Sequence, residues 1–411
     1  MKYYAINPYA ASIFPVAIYL FAFFFPADTW RQVLFEENYV QYNWVVFFFV
    51  FLCNIFLYVG IWIGSKSSQK IIAKKPVSQS VQHTRIFPVL FVTIAVLIIF
   101  IAYLAGNFPG YLLLTVSGQA NIAKQMLIDN EIKFTTIIHY AIPIVLWAYY
   151  RRLELKNESI SILSCTIGLA VFLVLTIAFV NAARYLILPV ILGLYVIYAK
   201  LRQYDKIPVS RHLKVSIRNY FLLLVSVVVI FGIFSFLRGS EDLNEVYSSV
   251  LGYGPVSYNR LAMQLQGKLL FDFSGTGVYV IPDPILSLWR LVSGAVPMSG
   301  NDVWTSEFNS VGKVGLNADF IWLTVYGYTF DSIGMFAPIY FLLFGIFSGI
   351  TWRSFISGRV FGIVFYPFVF FSIFFFFGSN YLSIYFQYYL IIFIVLSSYE
   401  WLISTLLTRN R

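Results

Sequence analysis

The 411-residue chain is 60% hydrophobic and 20% aromatic, with only 11% charged residues and a mean hydropathy of +0.78. A water-soluble domain is about half apolar and about a quarter charged, and a single soluble core stops growing at roughly 250–300 residues. The composition therefore excludes a soluble fold, a disulfide scaffold and a disordered chain. It predicts a protein whose solvent is the lipid bilayer.

Apolar runs long enough to cross a bilayer as a helix, about 20 residues, recur along the chain. Ten of them occupy residues 8–26, 43–64, 86–105, 134–150, 160–180, 185–199, 219–237, 334–352, 360–378 and 384–406. They are continuous rather than alternating, which favours helices over barrel strands. We expect an all-α polytopic membrane protein with 10 spans, or 11–12 if part of a long loop inserts.

The distribution of charge predicts how the spans are oriented. With the N-terminus in the cytoplasm, nineteen of the 28 basic residues lie in cytoplasmic connections, whereas fourteen of the 18 acidic residues lie outside. The positive-inside rule therefore places both termini in the cytoplasm. This topology accounts for the net charge of +10, and no nucleic-acid partner is expected.

Residues 238–333 are the longest connection, and this orientation puts them outside. They separate an N-terminal membrane bundle of about seven spans, residues 1–237, from a C-terminal bundle of about three spans, residues 334–411. The loop is rich in aromatic residues, unlike a disordered linker, so we expect it to fold and to hold the functional site. Residues 256–270 and 284–291 have apolar residues at helical spacing, which predicts short amphipathic helices on or in the outer leaflet.

Sequence motifs for nucleotide, NAD, metalloprotease or serine-hydrolase chemistry are absent. The three histidines, His83, His139 and His212, all lie outside the long loop. This disfavours a histidine-dependent hydrolase on the outer side. We expect no cofactor and no metal.

Arginines at the ends of apolar runs are the first candidate functional residues. Arg184 closes a short outer turn before the sixth span, and Arg238 opens the long loop. A guanidinium is permanently charged and binds phosphate oxygens in pairs, so both suit a diphosphate on a lipid carrier. The alternative is that both are anchors that snorkel to the interface. Arg260 and Arg290, on the predicted amphipathic helices, either complete the cluster or are simply solvated.

Carboxylates in the long loop are the second set of candidates. A carboxylate can take the proton of a sugar hydroxyl, and the candidates in the loop are Glu241, Asp242, Glu245, Asp302, Glu307, Asp319 and Asp331. Most of these carboxylates are expected to be solvated only, with one or two functional. The tryptophan and tyrosine rings of the loop could stack on sugar rings.

The chain resembles the Wzy-type O-antigen and capsular repeat-unit polymerases, mainly over residues 180–350. The features that carry the likeness are ten or more spans, the Asn181–Arg184 turn, Arg238 at the start of a large outer loop, the Tyr247–Arg260 segment with Gly252-Tyr253-Gly254-Pro255, and the Asn317–Tyr326 segment with Asp331 and Gly334 before an apolar span.

The resemblance implies a membrane glycosyltransferase of the GT-C type. Such an enzyme joins undecaprenyl-diphosphate-linked oligosaccharides on the periplasmic face of a bacterial inner membrane, beside a repeat-unit flippase and a chain-length co-polymerase. It implies catalytic roles for Arg184, Arg238, Glu241, Asp242 and Asp331. It implies substrate binding by Arg260, Arg290, Tyr253, Tyr258, Asn317, Trp322 and Tyr326.

Two alternatives remain open at the level of sequence. An O-antigen ligase uses the same diphosphate-linked chain, but that family is expected to have a histidine in its large outer loop, and this loop has none. A flippase for lipid-linked oligosaccharides would carry ionisable residues within its spans, which in this chain are nearly free of charge.

Overall fold

The computed structural model describes residues 4–72, 86–119, 122, 135–155, 161–181, 184–203, 212–237, 245–246, 248, 251–271, 277, 279–293, 300–318, 320 and 322–409. Within these residues the regular secondary structure is helical throughout. The all-α class predicted from composition is therefore confirmed.

The α-helices of the described residues follow one another along the whole chain. In order they are α1 (Pro8–Phe24), α2 (Ala27–Leu34), α3 (Trp44–Ile72), α4 (Phe87–Asn107), α5 (Pro109–Val116), α6 (Thr135–Glu154), α7 (Ser161–Val180), α8 (Arg184–Tyr198), α9 (His212–Leu237), α10 (Ser257–Leu265), α11 (Asp283–Ser293), α12 (Gly300–Lys313), α13 (Val325–Ile333), α14 (Ala337–Ile356), α15 (Val360–Phe374) and α16 (Tyr381–Arg409).

Five helical segments of the described chain are long and apolar enough to cross a membrane. They contain α3, α4, α7, α13–α14 and α16, and α1 with α2 makes a sixth if that pair, bent by 108°, is one span. The chain is thus an α-helical membrane protein. Each of the ten predicted apolar segments coincides largely with a helix, and the count of about ten spans stays a prediction.

The first predicted span is shorter than expected. The sequence predicts one run over residues 8–26, but α1 ends at Phe24 and α2 leaves it at 108° after Pro26. Proline lacks an amide hydrogen and restricts the residue before it, so a helix ends readily at this point.

Helix α15 is the centre of the bundle. Every residue from 362 to 383 is buried, as expected of a helix that is apolar on all sides. The surrounding helices α3, α4 and α9 instead expose large side chains such as Phe48, Ile99 and Phe221, which is the arrangement expected where lipid covers the outside.

Helices α3 and α14 pack through two facing pairs of glycines. A Cβ atom on Gly60 would lie 2.2 Å from the carbonyl oxygen of Leu342, and one on Gly345 would lie 2.3 Å from that of Leu57. Gly64 and Gly349 repeat this contact one turn further along both helices. The pairs form two G-x-x-x-G motifs, which let helix backbones approach closely in a membrane.

The polar contacts of the bundle define two ends. At one of them, the Arg151 end, Arg151 bonds to Glu400 of α16 and to the carbonyl of Gly358. Lys200 donates to the carbonyl of Phe355 at 2.7 Å. The opposite end, the loop end, is where residues 27–43 and 251–271 and the described residues of 316–336 are joined by hydrogen bonds.

The described part of the long loop folds into helices, but one of them is not where the sequence placed it. Residues 284–291 lie in α11, which exposes Ile285, Leu288 and Val292 as an amphipathic helix against lipid would. The 256–270 segment forms α10, whose residues from 257 to 264 are all buried in protein. Of the two expected positions, on or in the outer leaflet, this helix therefore does not lie on the surface with an apolar face against lipid, because protein covers it on all sides.

Segments of the loop enter the bundle instead. Tyr326, at the start of α13, accepts a hydrogen bond from Asn54, which is ten residues, or about 15 Å, from the start of α3. Tyr258 of α10 donates to the carbonyl of Pro15 in the middle of α1. Since about 15 Å is half the hydrocarbon thickness of a bilayer, α10 and α13 reach well below the loop end.

We predict that Gly345→Ala lowers the thermal midpoint of the detergent-solubilised protein by several degrees. The new methyl group would meet the backbone of α3, and overpacking of this kind costs about 1–3 kcal/mol. The control is Gly168→Ala on α7, where a Cβ meets nothing within 4 Å and the better helix propensity of alanine should be neutral or stabilising. Equal stability of the two variants would contradict the proposed role of the glycines.

Candidate functional site

Arg260 and Glu36 form an ion pair in which both side chains are 0% exposed. Arg260 Nη1 lies 2.7 Å from each carboxylate oxygen of Glu36. The remaining guanidinium nitrogens donate to backbone carbonyls, Nε to Phe320 and Nη2 to Asn317, both at 2.6 Å. The guanidinium is thus fully used inside the protein.

Two asparagines complete the surroundings of Glu36. Asn259 Nδ2 donates to Glu36 Oε1 at 2.8 Å, and the backbone amide of Asn317 donates to Oε2 at 3.1 Å. The side chain of Asn317 donates to the carbonyl of Leu34. This cluster joins the α2–α3 connection to α10 and to the segment before α13.

Arg260 and Asn317, two of the predicted substrate-binding residues, are engaged within the protein. A buried charge must be paired and hydrogen-bonded, and these residues satisfy Glu36 and irregular backbone. Their place in the structure is that of a scaffold.

Two of the predicted stacking tyrosines are also interior residues. Tyr258 and Tyr326 are fully buried, and their hydroxyls are bonded to Pro15 and Asn54. Tyr253 and Trp322 are half-buried, and their rings contact each other at 4.8 Å. Of the four aromatic candidates, only this pair keeps part of its surface exposed.

Several predicted site residues fall outside what the structure describes. Arg238, Glu241 and Asp242 lie outside the described residues, as do the side chains of Arg184 and Arg290. The backbone of Arg184 is described, and it begins α8. The backbone of Arg290 lies in α11.

Asp331 lies near the end of α13 and is half-buried. Its Oδ1 accepts a hydrogen bond from Gln264 Nε2 of α10 at 3.1 Å. Asp331 is also close enough to Glu307 of α12 for the two carboxylates to repel. The structure thus brings two of the candidate carboxylates of the loop, Asp331 and Glu307, within electrostatic reach of each other.

Glu307 is the centre of a buried polar cluster at the loop end. Tyr328 of α13 donates to Glu307 Oε1 at 2.7 Å, and Tyr279 donates to Oε2 at 3.5 Å. Tyr328 also hydrogen-bonds the side chain of Ser379, in the link between α15 and α16. Glu307, Tyr279, Tyr328 and Ser379 together make up the Glu307 cluster.

Burial raises the pKa of Glu307 to about 8. The hydroxyls of Tyr328 and Tyr279 oppose this rise, while the neighbouring Asp331 adds to it. Burial likewise raises the pKa of Tyr279 well above its ordinary value. Glu307 therefore changes charge close to physiological pH, as a group that gains and loses a proton in catalysis should.

The Glu307 cluster is connected to the start of α8, the helix that begins with Arg184, through the ring of Tyr381. The ring of Tyr381 stacks with that of Tyr185 at 5.8 Å and interacts electrostatically with Tyr279. Two side chains, those of Tyr381 and Tyr279, thus connect Tyr185, the residue after Arg184, to the carboxylate of Glu307.

Both neighbouring helices are too short to reach the full thickness of a bilayer. Helices α8 and α15 have 15 residues each, or about 22 Å. Each has one end at the Arg151 end: Lys200, just after α8, donates to the carbonyl of Phe355 in α14, and Arg151 donates to the carbonyl of Gly358, just before α15. Their opposite ends are therefore recessed below the loop end. This recess is where an acid, hydroxyls and the start of α8 come together.

Chemically, the recess combines a proton acceptor with an anion-binding position. A helix N-terminus carries partial positive charge, and the first residue of α8 in the sequence is Arg184. Such a site can hold a diphosphate while a nearby carboxylate takes a proton.

The sequence holds a signal that distinguishes Glu307 from the other candidate carboxylates, although it was not given a catalytic role. In α12 the buried residues Glu307, Ser310 and Val311 follow the i, i+3, i+4 spacing of one helix face. A carboxylate on the apolar face of an amphipathic helix is costly to bury, which distinguishes Glu307 from the other acids of the loop. Glu36, in a short connection far away in sequence, gave no comparable signal.

The chain matches no protein-family model, no curated protein and no solved structure.

We expect Arg260→Met to remove most of the folded protein. It would leave Glu36 buried without a counter-ion, a loss of about 3–5 kcal/mol. The measurement is the yield of monodisperse protein by size-exclusion chromatography in detergent. The control is Arg31→Met, since Arg31 pairs with Glu37 at side chains 60% and 54% exposed and such surface pairs contribute little. A stable but inactive Arg260→Met protein would restore the substrate-binding role.

The raised pKa of Glu307 predicts a pH-dependent stability. Because the folded state holds the proton more tightly than the unfolded state, this group stabilises the fold below pH 4.5, and that contribution is lost as pH rises to about 8. Glu307→Gln should remove this dependence, so its thermal midpoint should rise relative to wild type between pH 5 and pH 9. Parallel pH profiles of the two proteins would show that Glu307 is an ordinary carboxylate.

Proposed function

We propose that this protein is a GT-C-like membrane glycosyltransferase that polymerises undecaprenyl-diphosphate-linked oligosaccharide repeat units into O-antigen or a related surface polysaccharide. The observation that carries the proposal is the Glu307 cluster, a buried acid with a pKa of about 8 that is connected through Tyr279 and Tyr381 to the start of α8. The resemblance to the Wzy-type polymerases supplies the substrate class.

The reaction requires two functions of the site. The bond between the anomeric carbon of the growing chain and its lipid diphosphate breaks, and a bond forms from that carbon to a hydroxyl of the incoming repeat unit. Arg184 and Arg238 stabilise the charge on the departing diphosphate. The ionised carboxylate of Glu307 takes the proton of the attacking hydroxyl.

The remaining residues around the recess orient the sugars. Asp331, held by Gln264, faces the same acid and positions the acceptor. The exposed parts of Tyr253 and Trp322 provide aromatic surface for a sugar ring. Glu241, Asp242 and Arg290 remain candidate contacts.

The proposal places the enzyme in a bacterial inner membrane with both termini in the cytoplasm and the loop end in the periplasm. A repeat-unit flippase would deliver the substrate, and a chain-length co-polymerase would act on the product. Membrane lipid surrounds the bundle, and the reaction is expected to proceed without a cofactor.

Arg184→Ala is expected to abolish polymer at normal protein abundance, because the leaving diphosphate loses its main counter-charge. Arg238→Ala should do the same, and Arg184→Lys should be impaired because an ammonium cannot form the bidentate contact. The readout is the surface-polysaccharide ladder of a deletion strain that carries each variant. A ladder reduced to core plus one repeat unit supports the proposal, and Arg31→Ala, on an exposed side chain, should keep the full ladder. Full-length polymer with Arg184→Ala would contradict the diphosphate role.

Glu307→Gln is expected to be inactive at every pH, because its amide cannot accept the hydroxyl proton. The wild-type rate should rise with pH and level off above about 8, where Glu307 is ionised. The measurement is the initial rate of chain extension by purified protein between pH 6 and pH 9.5. Glu37→Gln, on an exposed side chain, should behave as wild type. A rate that falls across this range would contradict the role of Glu307 as a base.

A further inference from the structure

A series of hydrogen bonds beside the Glu307 cluster links α14, the start of α16 and the segment before α11. Asn380 Nδ2 donates to the hydroxyl of Tyr340, and the hydroxyl oxygens of Tyr340 and Ser383 are 3.3 Å apart. Ser383 Oγ donates to the carbonyl of Val280 at 2.8 Å. Asn380, Ser383 and Val280 are all buried, so this series lies inside the protein.

The first member of the series fixes the direction of the others. The amide nitrogen of Asn380 can only donate, so the oxygen of Tyr340 accepts from it and the proton of Tyr340 points to Ser383. The proton of Ser383 is then directed at the carbonyl of Val280. Hydrogen bonds that follow one another in this way polarise and strengthen each other.

The carbonyl that Ser383 binds belongs to the residue after Tyr279. The hydroxyl of Tyr279 donates to Glu307 Oε2 at 3.5 Å. The amides of Val280 and Ile281 close a turn onto the carbonyl of Gly277 at 3.0 Å and 2.9 Å. The contact with Ser383 attaches this turn, and with it the ring of Tyr279, to α16.

The same part of the chain also supports the second tyrosine of the Glu307 cluster. Ser379 hydrogen-bonds Tyr328, whose hydroxyl donates to Glu307 Oε1 at 2.7 Å. The rings of Tyr279 and Tyr328 contact each other at 4.3 Å. Residues 379–383 therefore hold both hydroxyls that reach the carboxylate.

We propose that Ser383 is a positioning residue for Glu307. By binding the carbonyl of Val280, it keeps the hydroxyl of Tyr279 on the carboxylate. This inference rests on the proposed function and adds a residue to the same site.

The bonding of Ser383 differs from that of a buried serine that serves only its own helix. Ser348 is such a residue, because its hydroxyl donates to the carbonyl of Phe344 one turn earlier in α14. The hydroxyl of Ser383 instead reaches a segment about a hundred residues away, at the point where that segment meets the base.

The loss of this contact has an electrostatic consequence for Glu307. Among the described residues, the groups that shift its pKa are Tyr279 and, on α13, Tyr328 and Asp331. The two hydroxyls stabilise the carboxylate and lower the pKa, whereas Asp331 repels it and raises the pKa. Without the hydroxyl of Ser383, Tyr279 is released while Tyr328 stays, so the pKa of Glu307 should rise further.

The test is the pH profile of chain extension by purified Ser383→Ala protein between pH 6 and pH 10. The pH of half-maximal rate should lie about half a pH unit above that of wild type, as expected for the loss of one long hydrogen bond to a carboxylate. Tyr279→Phe should give the same shift, and the double variant no further shift, because both substitutions remove the same contact.

The matched control is Ser348→Ala, which also loses a buried hydroxyl and should keep the wild-type profile. An unshifted profile for Ser383→Ala, or shifts that add in the double variant, would overturn the positioning role. If Ser383→Ala does not fold, Tyr340→Phe takes its place, since it leaves the hydroxyl of Ser383 undirected. It should shift the profile in the same direction, and an unshifted profile would again overturn the proposal.

Thermal midpoints decide the proposal without catalysis. The difference in midpoint between a protein and its Glu307→Gln counterpart changes at the pH where Glu307 ionises. That pH should be higher for Ser383→Ala than for wild type. A wild-type protein that makes no polymer, together with this shift, would contradict the polymerase proposal and leave the positioning role intact. The same pH in both proteins would refute the positioning role.

Discussion

The ion pair between Arg260 and Glu36 is the contact on which the loop end depends. In a bilayer, backbone that is neither helix nor closed sheet is tolerated only where its polar groups are satisfied by protein. Arg260 does this directly, because its guanidinium binds the carbonyls of Phe320 and Asn317 in the irregular segment before α13. Glu36 then neutralises the charge. One side chain thereby lets two parts of a long loop enter a membrane bundle.

The depth at which α10 and α13 lie in the bundle determines where chemistry can occur. Helix α13 brings Tyr328 to the carboxylate of Glu307, and its first amide binds the carbonyl of Phe376 just after α15. The short helices α8 and α15 leave a recess for these groups. The same recess holds a buried acid, Glu307, which is connected through Tyr381 to the start of α8.

Sequence alone predicted the helices of the bundle well, because a continuous apolar run of this length can adopt few structures other than a helix in a membrane. It could not predict the bend after Phe24 or the burial of α10, since an amphipathic pattern does not say whether the apolar face meets lipid or protein. Arg260 looked like a ligand for the same reason: its partner Glu36 lies 224 residues away in sequence. Glu307 and the glycine pairs did leave local patterns, a carboxylate on an apolar face and two G-x-x-x-G spacings.

The most direct test of the central claim is chain extension by the purified protein alone. Reconstituted in nanodiscs with undecaprenyl-diphosphate-linked repeat units, the wild type should produce a ladder of lipid-linked chains that grows with time, and the Glu307→Gln protein should produce none. Unchanged single repeat units with the wild type, or an equal ladder with both proteins, would contradict the assignment of polymerisation to the Glu307 cluster.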